Sequence, residues 1–476
     1  MNEKCQVFTP YSNVVDLLEK VNYNSNLYGK KVIENACGDG NILSVIVERY
    51  ICDCINNGMD LNQIKTGIET DIYGAEIDEK HYLQCLAKLN SVASKYNIID
   101  VQWNLLNVDI LRTNLPVKFD YVIGNPPYIK YRDLDVETRG FLQNNYSACS
   151  QGKFDYCYAF IEASLNCLSD TGKLSYLVPN SIFKNVFAQN LRELMLESLT
   201  KIYDYTTIKL FDNALTASAI IIANKEIQSK TIEYHNINEN KSHQIIKTDL
   251  SHKWLFNKQQ LNKKNNRQIR FGDYFSASIT IATLLNKVYV SSEVSEVDGH
   301  VTFNNFQIER EILREAASPR SLHYQKKEWI IFPYSYENNE LVRYTDEYFE
   351  DSFPMTSHYL KNNLDILRKR KSDKSTRWFE YGRTQALAHL NQLKLLTSTV
   401  VTKKVKIYDL SKECIPYSGI YIVSKGGFPL SKAKKILQSE SFLTYVQNIG
   451  INASGSSLRI TAADINNYIF SERELL

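Results

Sequence analysis

The chain has 476 residues, 43% of them apolar and 23% charged, ordinary proportions for a globular protein of about two or three domains. Its net charge of +3 hides an uneven split: residues 1–230 carry 22 Lys and Arg against 27 Asp and Glu, whereas residues 231–476 carry 34 against 26. No run approaches the ~18 apolar residues of a membrane span, residues 1–10 lack the apolar core of a secretory signal, and the nine cysteines follow no metal-binding spacing, so we expect reduced thiols, a cytoplasmic compartment and neither metal nor membrane.

Residues 31–34 read as a strand and 42–55 as a helix. A second strand over 72–77 and a helix over 80–95 follow, then strands at 101–104 and 121–124. Residues 154–168 have helical apolar spacing. Residues 173–179 read as a further strand, with closing strands at 202–208 and 218–223. This alternation predicts a parallel α/β sheet. Residues 231–268 are polar and rich in Asn and Lys, a connector in expectation. From 269 to 476 the pattern is mixed, with short aromatic-rich strands and helices such as 365–371 and 431–437. No internal repeat is evident.

Asn125-Pro126-Pro127-Tyr128 ends the strand at 121–124. The Asn125 side-chain oxygen and the Pro126 carbonyl are both acceptors. Together they match the two hydrogens of a planar amine, and the prolines stiffen the loop that holds them. Tyr128 offers a flat face for stacking. A simple strand-ending turn is the alternative for Asn-Pro.

Glu34-Asn35-Ala36-Cys37-Gly38-Asp39-Gly40-Asn41 joins the first strand to its helix, and its small residues let a ligand approach the backbone. No third glycine completes a dinucleotide fingerprint, so a nucleoside without pyrophosphate fits better. Glu76, after the second strand, suits ribose hydroxyls or a helix cap. Asp109, in the next unit, suits an adenine amine or a plain surface loop. All of these fall at successive strand ends, where one ligand would meet them.

On these residues the stretch from 1 to about 225 resembles the γ class of DNA adenine-N6 methyltransferases, which use S-adenosylmethionine. Thr9-Pro10 matches that family's N-terminal motif, Asn35-Ala36-Cys37-Gly38-Asp39-Gly40 its glycine motif, and Phe154-Asp155 through Pro179-Asn180-Ser181 a later run. Asn35 departs from the usual proline, and an insertion lies around 52–71.

The resemblance implies a seven-stranded Rossmann-like sheet in a methyltransferase domain over 1–230, with the cofactor held by Thr9, Pro10, Asn35, Ala36, Cys37, Gly38, Glu76, Ile77, Asp109, Ile110 and Asn125. It makes Asn125, Pro126 and Tyr128 catalytic. The target base would be flipped out of the duplex and stacked on Tyr128, with Phe211 as the second aromatic; a core phenylalanine is the alternative at 211.

Over 269–476 the resemblance is looser and reaches a mixed α+β target-recognition domain. It rests on the stretch from Ile279 to Tyr289, on Trp378-Phe379-Glu380-Tyr381-Gly382-Arg383 and on Ser454-Gly455-Ser456-Ser457-Leu458-Arg459. Residues 361–435 hold 17 basic and 5 acidic side chains. Of these, Lys369, Arg370, Lys371, Lys374, Arg377, Lys403, Lys404 and Lys406 are candidates to neutralise DNA phosphates. The expected partners are double-stranded DNA, bound as a monomer, and a separate cognate endonuclease, or none, rather than a fused one. A protein-glutamine methyltransferase, an RNA methyltransferase and a catalytically silent DNA-binding subunit are the competing readings.

Overall fold

Val32 and Ile33 are neighbours on one short strand, yet they face different cores. Val32 packs with Leu43, Ile46 and Leu89, and Ile33 packs with Phe119, Leu165 and Leu174. Successive strand residues point to opposite faces, so helices must cover both sides of the sheet that this strand enters. Each fully buried aliphatic side chain contributes roughly 1.5–3 kcal/mol. The computed structural model describes residues 9–206, 217–250, 253–256, 268–297, 300–370, 372–373, 376–454 and 457–472.

In chain order the first unit, Met1–Lys258, contains α1 (Tyr11–Lys20), β1 (Val32–Glu34), α2 (Asn41–Asn56), α3 (Leu61–Asp71), β2 (Ile72–Ala75), α4 (Glu79–Ser94), β3 (Asn104–Leu106), β4 (Phe119–Gly124), α5 (Val136–Asn145), α6 (Cys157–Cys167), β5 (Leu168–Pro179), α7 (Gln189–Leu196), β6 (Leu199–Asp204), β7 (Ser218–Asn224), β8 (Thr231–Asn236) and β9 (Lys241–Ile246). The strands form one sheet in the order 3-2-1-4-5-7-6-8-9. Strands β3, β2, β1, β4 and β5 run parallel, with Val32 opposite Ile72 on one side and Tyr121 on the other. Strand β7 is antiparallel to both of its neighbours.

Among the described residues nine strands stand where seven were expected. The two extra ones come from the expected connector: β8 buries Ile232 and Tyr234 and pairs parallel with β6, and β9 pairs antiparallel with β8. Trp254 and Phe256 then pack on Phe183, with ring centroids 6.0 and 5.0 Å away. The third strand lies at 104–106 rather than 101–104. Before it, the Gln102 backbone N–H donates to the Glu69 carboxylate at 2.9 Å and the Trp103 indole donates to Asn90 at 2.8 Å, so both are drawn off the sheet.

The insertion around 52–71 is helical. An Asp60–Gln63 capping box starts α3, the reciprocal pairing that satisfies two orphan N–H groups. Asp53 and Asp71 accept the backbone N–H groups of Leu27 (2.8 Å) and Gly29 (2.7 Å). The insertion thus pins the segment that leads into β1.

The second unit, Gln259–Leu476, is mixed α+β. Phe275–Ile279, Ile420–Ser424, Lys394–Thr397 and Ile407–Leu410 form an antiparallel sheet. It shares a core with the helices Leu430–Leu437 and Glu440–Ile449. A second four-stranded sheet contains Glu328–Ile331 and Leu313–Ala317. No helix among the described residues is long and apolar enough to cross a membrane.

Candidate functional site

Strands β1 and β4 are adjacent, but the sheet continues from β1 to β2 on one side and from β4 to β5 on the other. Such a switch point opens a crevice beyond the strands' carboxyl ends. The glycine loop leaves β1 there, and Asn125 leaves β4. A Cβ placed on Gly124 would come within 3.6 Å of the Glu34 Cγ, which measures how closely the two strand ends approach.

The glycine loop is shaped by its own backbone. Gly38 and Gly40 have φ of +53° and +83°, the left-handed region that glycine enters without cost. A Cβ at Gly40 would also meet the Cys85 Sγ at 2.7 Å and its Cα at 3.2 Å. Cys37 donates its N–H to the Ala75 carbonyl at 3.0 Å, which ties the loop to the end of β2. Lys88 reaches from α4 to Asp39 (3.0 Å) and Asn41 (2.7 Å). Helix α2 therefore begins with its N-terminal N–H groups at the crevice, where partial positive charge favours electronegative ligand atoms.

Glu76 follows β2 directly. Its two carboxylate oxygens accept the N–H groups of Gly38 and Asp78, each at 2.9 Å. One acidic side chain thus braces the glycine loop and the start of α4, and each oxygen keeps a lone pair for a ligand hydroxyl. Ile77 beside it is 44% exposed, an apolar face open at the crevice. Asp109 accepts the Leu111 N–H at 3.1 Å and pairs with Arg112 at 3.3 Å, so it caps the short turn that carries Ile110.

The Asn35 side chain is used inside the fold. It donates to the Ser164 hydroxyl at 2.9 Å and accepts from the Tyr176 hydroxyl, and those two hydroxyls are 2.7 Å apart. The amide thereby links the glycine loop to α6 and β5. What Asn35 offers the crevice is its backbone.

Glu34 was not singled out from the sequence. It is 2% exposed, and its Oε2 has no hydrogen-bond partner among the described residues. Burial pushes this carboxyl well above its usual range, reinforced by Cys85, Asp39 and Glu76 and opposed by the Leu43 N–H. An acid ending an otherwise apolar strand is the one signal that marked it.

Asn125 carries the sharpest feature. Its side-chain N–H donates to the Thr9 hydroxyl at 3.1 Å. Its Oδ1 is buried and has no partner among the described residues. Thr9 is itself 8% exposed and so lies closed against the end of β4. Pro126 is buried. The Tyr128 hydroxyl donates to the Leu177 carbonyl at 2.8 Å, which anchors the ring to β5, and burial raises its pKa well above normal. A fixed acceptor, a stiff loop and an anchored ring thus stand together beside the glycine loop. Phe211 lies outside the described residues.

In the second unit the basic candidates separate. Arg370 donates to the carbonyls of Leu367 (3.1 Å), Thr283 (2.9 Å) and Trp378 (3.3 Å) and stacks on Tyr289. Arg377 donates to the Tyr344 carbonyl and pairs with Asp346 at 3.6 Å. Both guanidinium groups thus hold backbone or carboxylate of their own unit with several of their donors. Lys369, Lys403 and Lys404 are exposed. Lys404 and Lys406 border a hollow of about 320 Å³ with His323 and Gln438, and Lys406 donates to His323 at 3.0 Å. Lys371 and Lys374 lie outside the described residues.

Against known proteins, residues 25–211 match the Eco57I restriction-modification methylase family. The chain is 23% identical over 506 residues to the type II methyltransferase M.BstVI of Geobacillus stearothermophilus, a match covering 94% of this chain and 87% of the relative. It is 25% identical over 320 residues to the type II restriction enzyme and methyltransferase RM.Eco57I of Escherichia coli, over 57% of this chain but only 31% of that one. Among solved structures, the type IIL restriction-modification enzyme MmeI in complex with DNA superposes with a TM-score of 0.62 at 14% identity, covering 96% of this chain and 65% of that chain.

Proposed function

We propose that this chain, an Eco57I-type restriction-modification methylase over residues 25–211, transfers a methyl group from S-adenosylmethionine to the N6 amine of an adenine in duplex DNA. The observation that carries the reading is the buried, unpartnered Asn125 Oδ1, oriented by Thr9 at the switch point. A buried acceptor without a partner costs about 1–3 kcal/mol. The site holds that cost in readiness for a donor, and a purine amine supplies one.

The crevice fits the cofactor. The left-handed Gly38 and Gly40 leave backbone room, Glu76 has lone pairs for ribose hydroxyls, and Asp109 with Ile110 and Ile77 suits an adenine. Glu34 would ionise against a cationic ligand, which would satisfy its orphan oxygen. When bound, the cofactor supplies an electrophilic methyl on a positively charged sulfur.

The residues of this chain position and polarise the acceptor. The amine's lone pair is delocalised into the purine ring. Asn125 Oδ1 and the Pro126 carbonyl would accept its two hydrogens, which draws the nitrogen toward tetrahedral geometry and localises the pair. Preorganised acceptors of this kind act by positioning and electrostatics. The amine is out of reach inside a duplex, so the nucleotide must leave the stack, at a cost of a few kcal/mol. Stacking on Tyr128 would return roughly 1–3 kcal/mol of that.

The exposed Lys369, Lys403 and Lys404 support duplex DNA as the substrate; binding as a single copy in the cytoplasm, with a separate endonuclease or none, is part of the proposal. The test is incubation of the full chain with unmethylated genomic DNA and S-adenosylmethionine labelled in the methyl group, followed by nucleoside chromatography. Label in N6-methyladenine is expected. Label confined to RNA or to protein glutamine would replace the reading with one of its rivals, and no label at all would favour a silent DNA-binding subunit.

A further inference from the structure

The Asn125–Tyr128 loop is held at its start by Thr9 and at its ring by Leu177. Its exit is held as well, by a group to which the proposed chemistry gives no role. Asp155 is 4% exposed. One carboxylate oxygen accepts from the Lys130 ammonium, and the other, Oδ1, is buried with no partner among the described residues. Around this pair the two segments are joined by backbone: Lys130 and Asp155 form an antiparallel bridge, and the Tyr156 N–H donates to the Ile129 carbonyl at 2.9 Å. The Tyr131 ring meets Phe154 edge-on at 5.1 Å. Helix α6 starts two residues after Asp155, so the loop exit is fastened to a rigid, buried element.

The pair is no ordinary surface salt bridge. Exposed ion pairs contribute little, whereas a buried carboxylate depends strongly on its partner. The burial is on the Asp155 side alone: the Lys130 side chain is 57% exposed and that of Asp155 5%. Although neighbouring protein partly desolvates the ammonium, the Asp155 carboxylate holds the Lys130 pKa above its ordinary value. Nor does the chemistry suit Asp155 as a reader of the base. An ionised carboxylate only accepts hydrogen bonds, and the one exocyclic amine of adenine is already matched by Asn125 and Pro126.

We propose that Asp155 is a positioning residue for the methyl transfer: through Lys130 it clamps the exit of the 125–128 loop to α6. The proposal rests on the methyltransferase reading above. A side chain placed wrongly by about 1 Å costs on the order of 100-fold in such reactions, so loosening the clamp should act on turnover and spare cofactor affinity.

The test uses the full chain with unmethylated genomic DNA and labelled S-adenosylmethionine. It compares wild type, Asp155→Asn, Lys130→Met, Lys130→Arg and the double variant Asp155→Asn with Lys130→Met. Asp155→Asn and Lys130→Met should each lower turnover about 10- to 100-fold and leave the cofactor Kd, by calorimetry, within about twofold. The double variant should be no slower than the slower single one, because both remove one clamp. Lys130→Arg, which keeps the ion pair, should stay within about threefold of wild type. Wild-type turnover in Asp155→Asn, or a double variant whose loss is the product of the singles, would overturn the proposal. So would loss of cofactor affinity in step with turnover, the mark of general unfolding. If Asp155→Asn does not fold, the contrast between Lys130→Met and Lys130→Arg decides. An inactive wild type would instead bring down the methyltransferase reading itself, and the clamp with it.

Discussion

Replacing Thr9 with valine leaves Asn125 in place and removes only what aims it. The Asn125 amide is oriented by its 3.1 Å donation to the Thr9 hydroxyl, which leaves Oδ1 as the free end. Valine is close to threonine in size but cannot accept. The amide would then lose a hydrogen bond worth about 0.5–1.5 kcal/mol, and its two flips would become similar in energy. Since ~1.4 kcal/mol is tenfold in rate, turnover should fall about 2- to 12-fold. Asn125→Ala removes the acceptor itself, and loss of one preorganised group costs about 100- to 1,000-fold. Methylation rates at saturating cofactor, with cofactor affinity measured by calorimetry, give both numbers. The expected order is a modest loss for Thr9→Val, a severe one for Asn125→Ala and a cofactor Kd within a few-fold in both. Thr9→Val as inactive as Asn125→Ala, or Asn125→Ala as active as wild type, would refute the argument that Thr9 aims and Asn125 acts.

Gly40→Ala should weaken cofactor binding by more than about tenfold in calorimetry, since a Cβ there meets Cys85 at 2.7 Å in a backbone conformation with φ +83°. Glu34 has a raised pKa in the fold, so the folded state holds its proton more tightly than the unfolded chain does. Stability of the cofactor-free protein should therefore fall as pH rises from the ordinary carboxylate value of about 4.5. Melting curves of Glu34→Gln across the same range should lack that part of the slope. Arg370→Met should lower the melting temperature of the second unit by about 4–10 °C, through the loss of three side-chain hydrogen bonds that tie Leu367, Thr283 and Trp378 together. Lys403→Met and Lys404→Met should leave melting unchanged, and each lysine that contacts a phosphate should reduce the slope of log K against log salt by about 0.9 on removal.

Much of the first unit is legible in the sequence because its strand ends are punctuated. Gly38, Asp39 and Gly40 break β1 from α2, and Pro126 and Pro127 end β4, so the strand ends that carry the glycine loop and Asn125 are readable in the sequence, whereas the adjacency of β1 and β4 is not. The use made of each side chain is not. Asn35 belongs by position to the glycine loop, yet its amide serves Tyr176, which is 141 residues away. Glu34 sits in a strand pattern that gives no hint of an orphan oxygen. The basic run around 361–435 reads alike whether a guanidinium faces solvent or, as Arg370 does, its own backbone carbonyls. Helix α3 buries only Ile64, Gly67, Ile68 and Asp71, too thin a stripe to announce itself inside an insertion. Strands β8 and β9 were hidden by their polar residues.

Those last two strands govern how the first unit can be cut. β8 buries Ile232 and Tyr234, while β9 presents Lys241, Ser242, Gln244 and Ile246 with Ile245 as its buried residue. A rim rich in polar side chains discourages another chain from adding a strand. A fragment ending at residue 230 would strip that rim and bare the flank of β6, inviting self-association. Fragments carried past Phe256 would keep both the rim and the aromatic plug on Phe183, and are the ones to attempt for crystallisation.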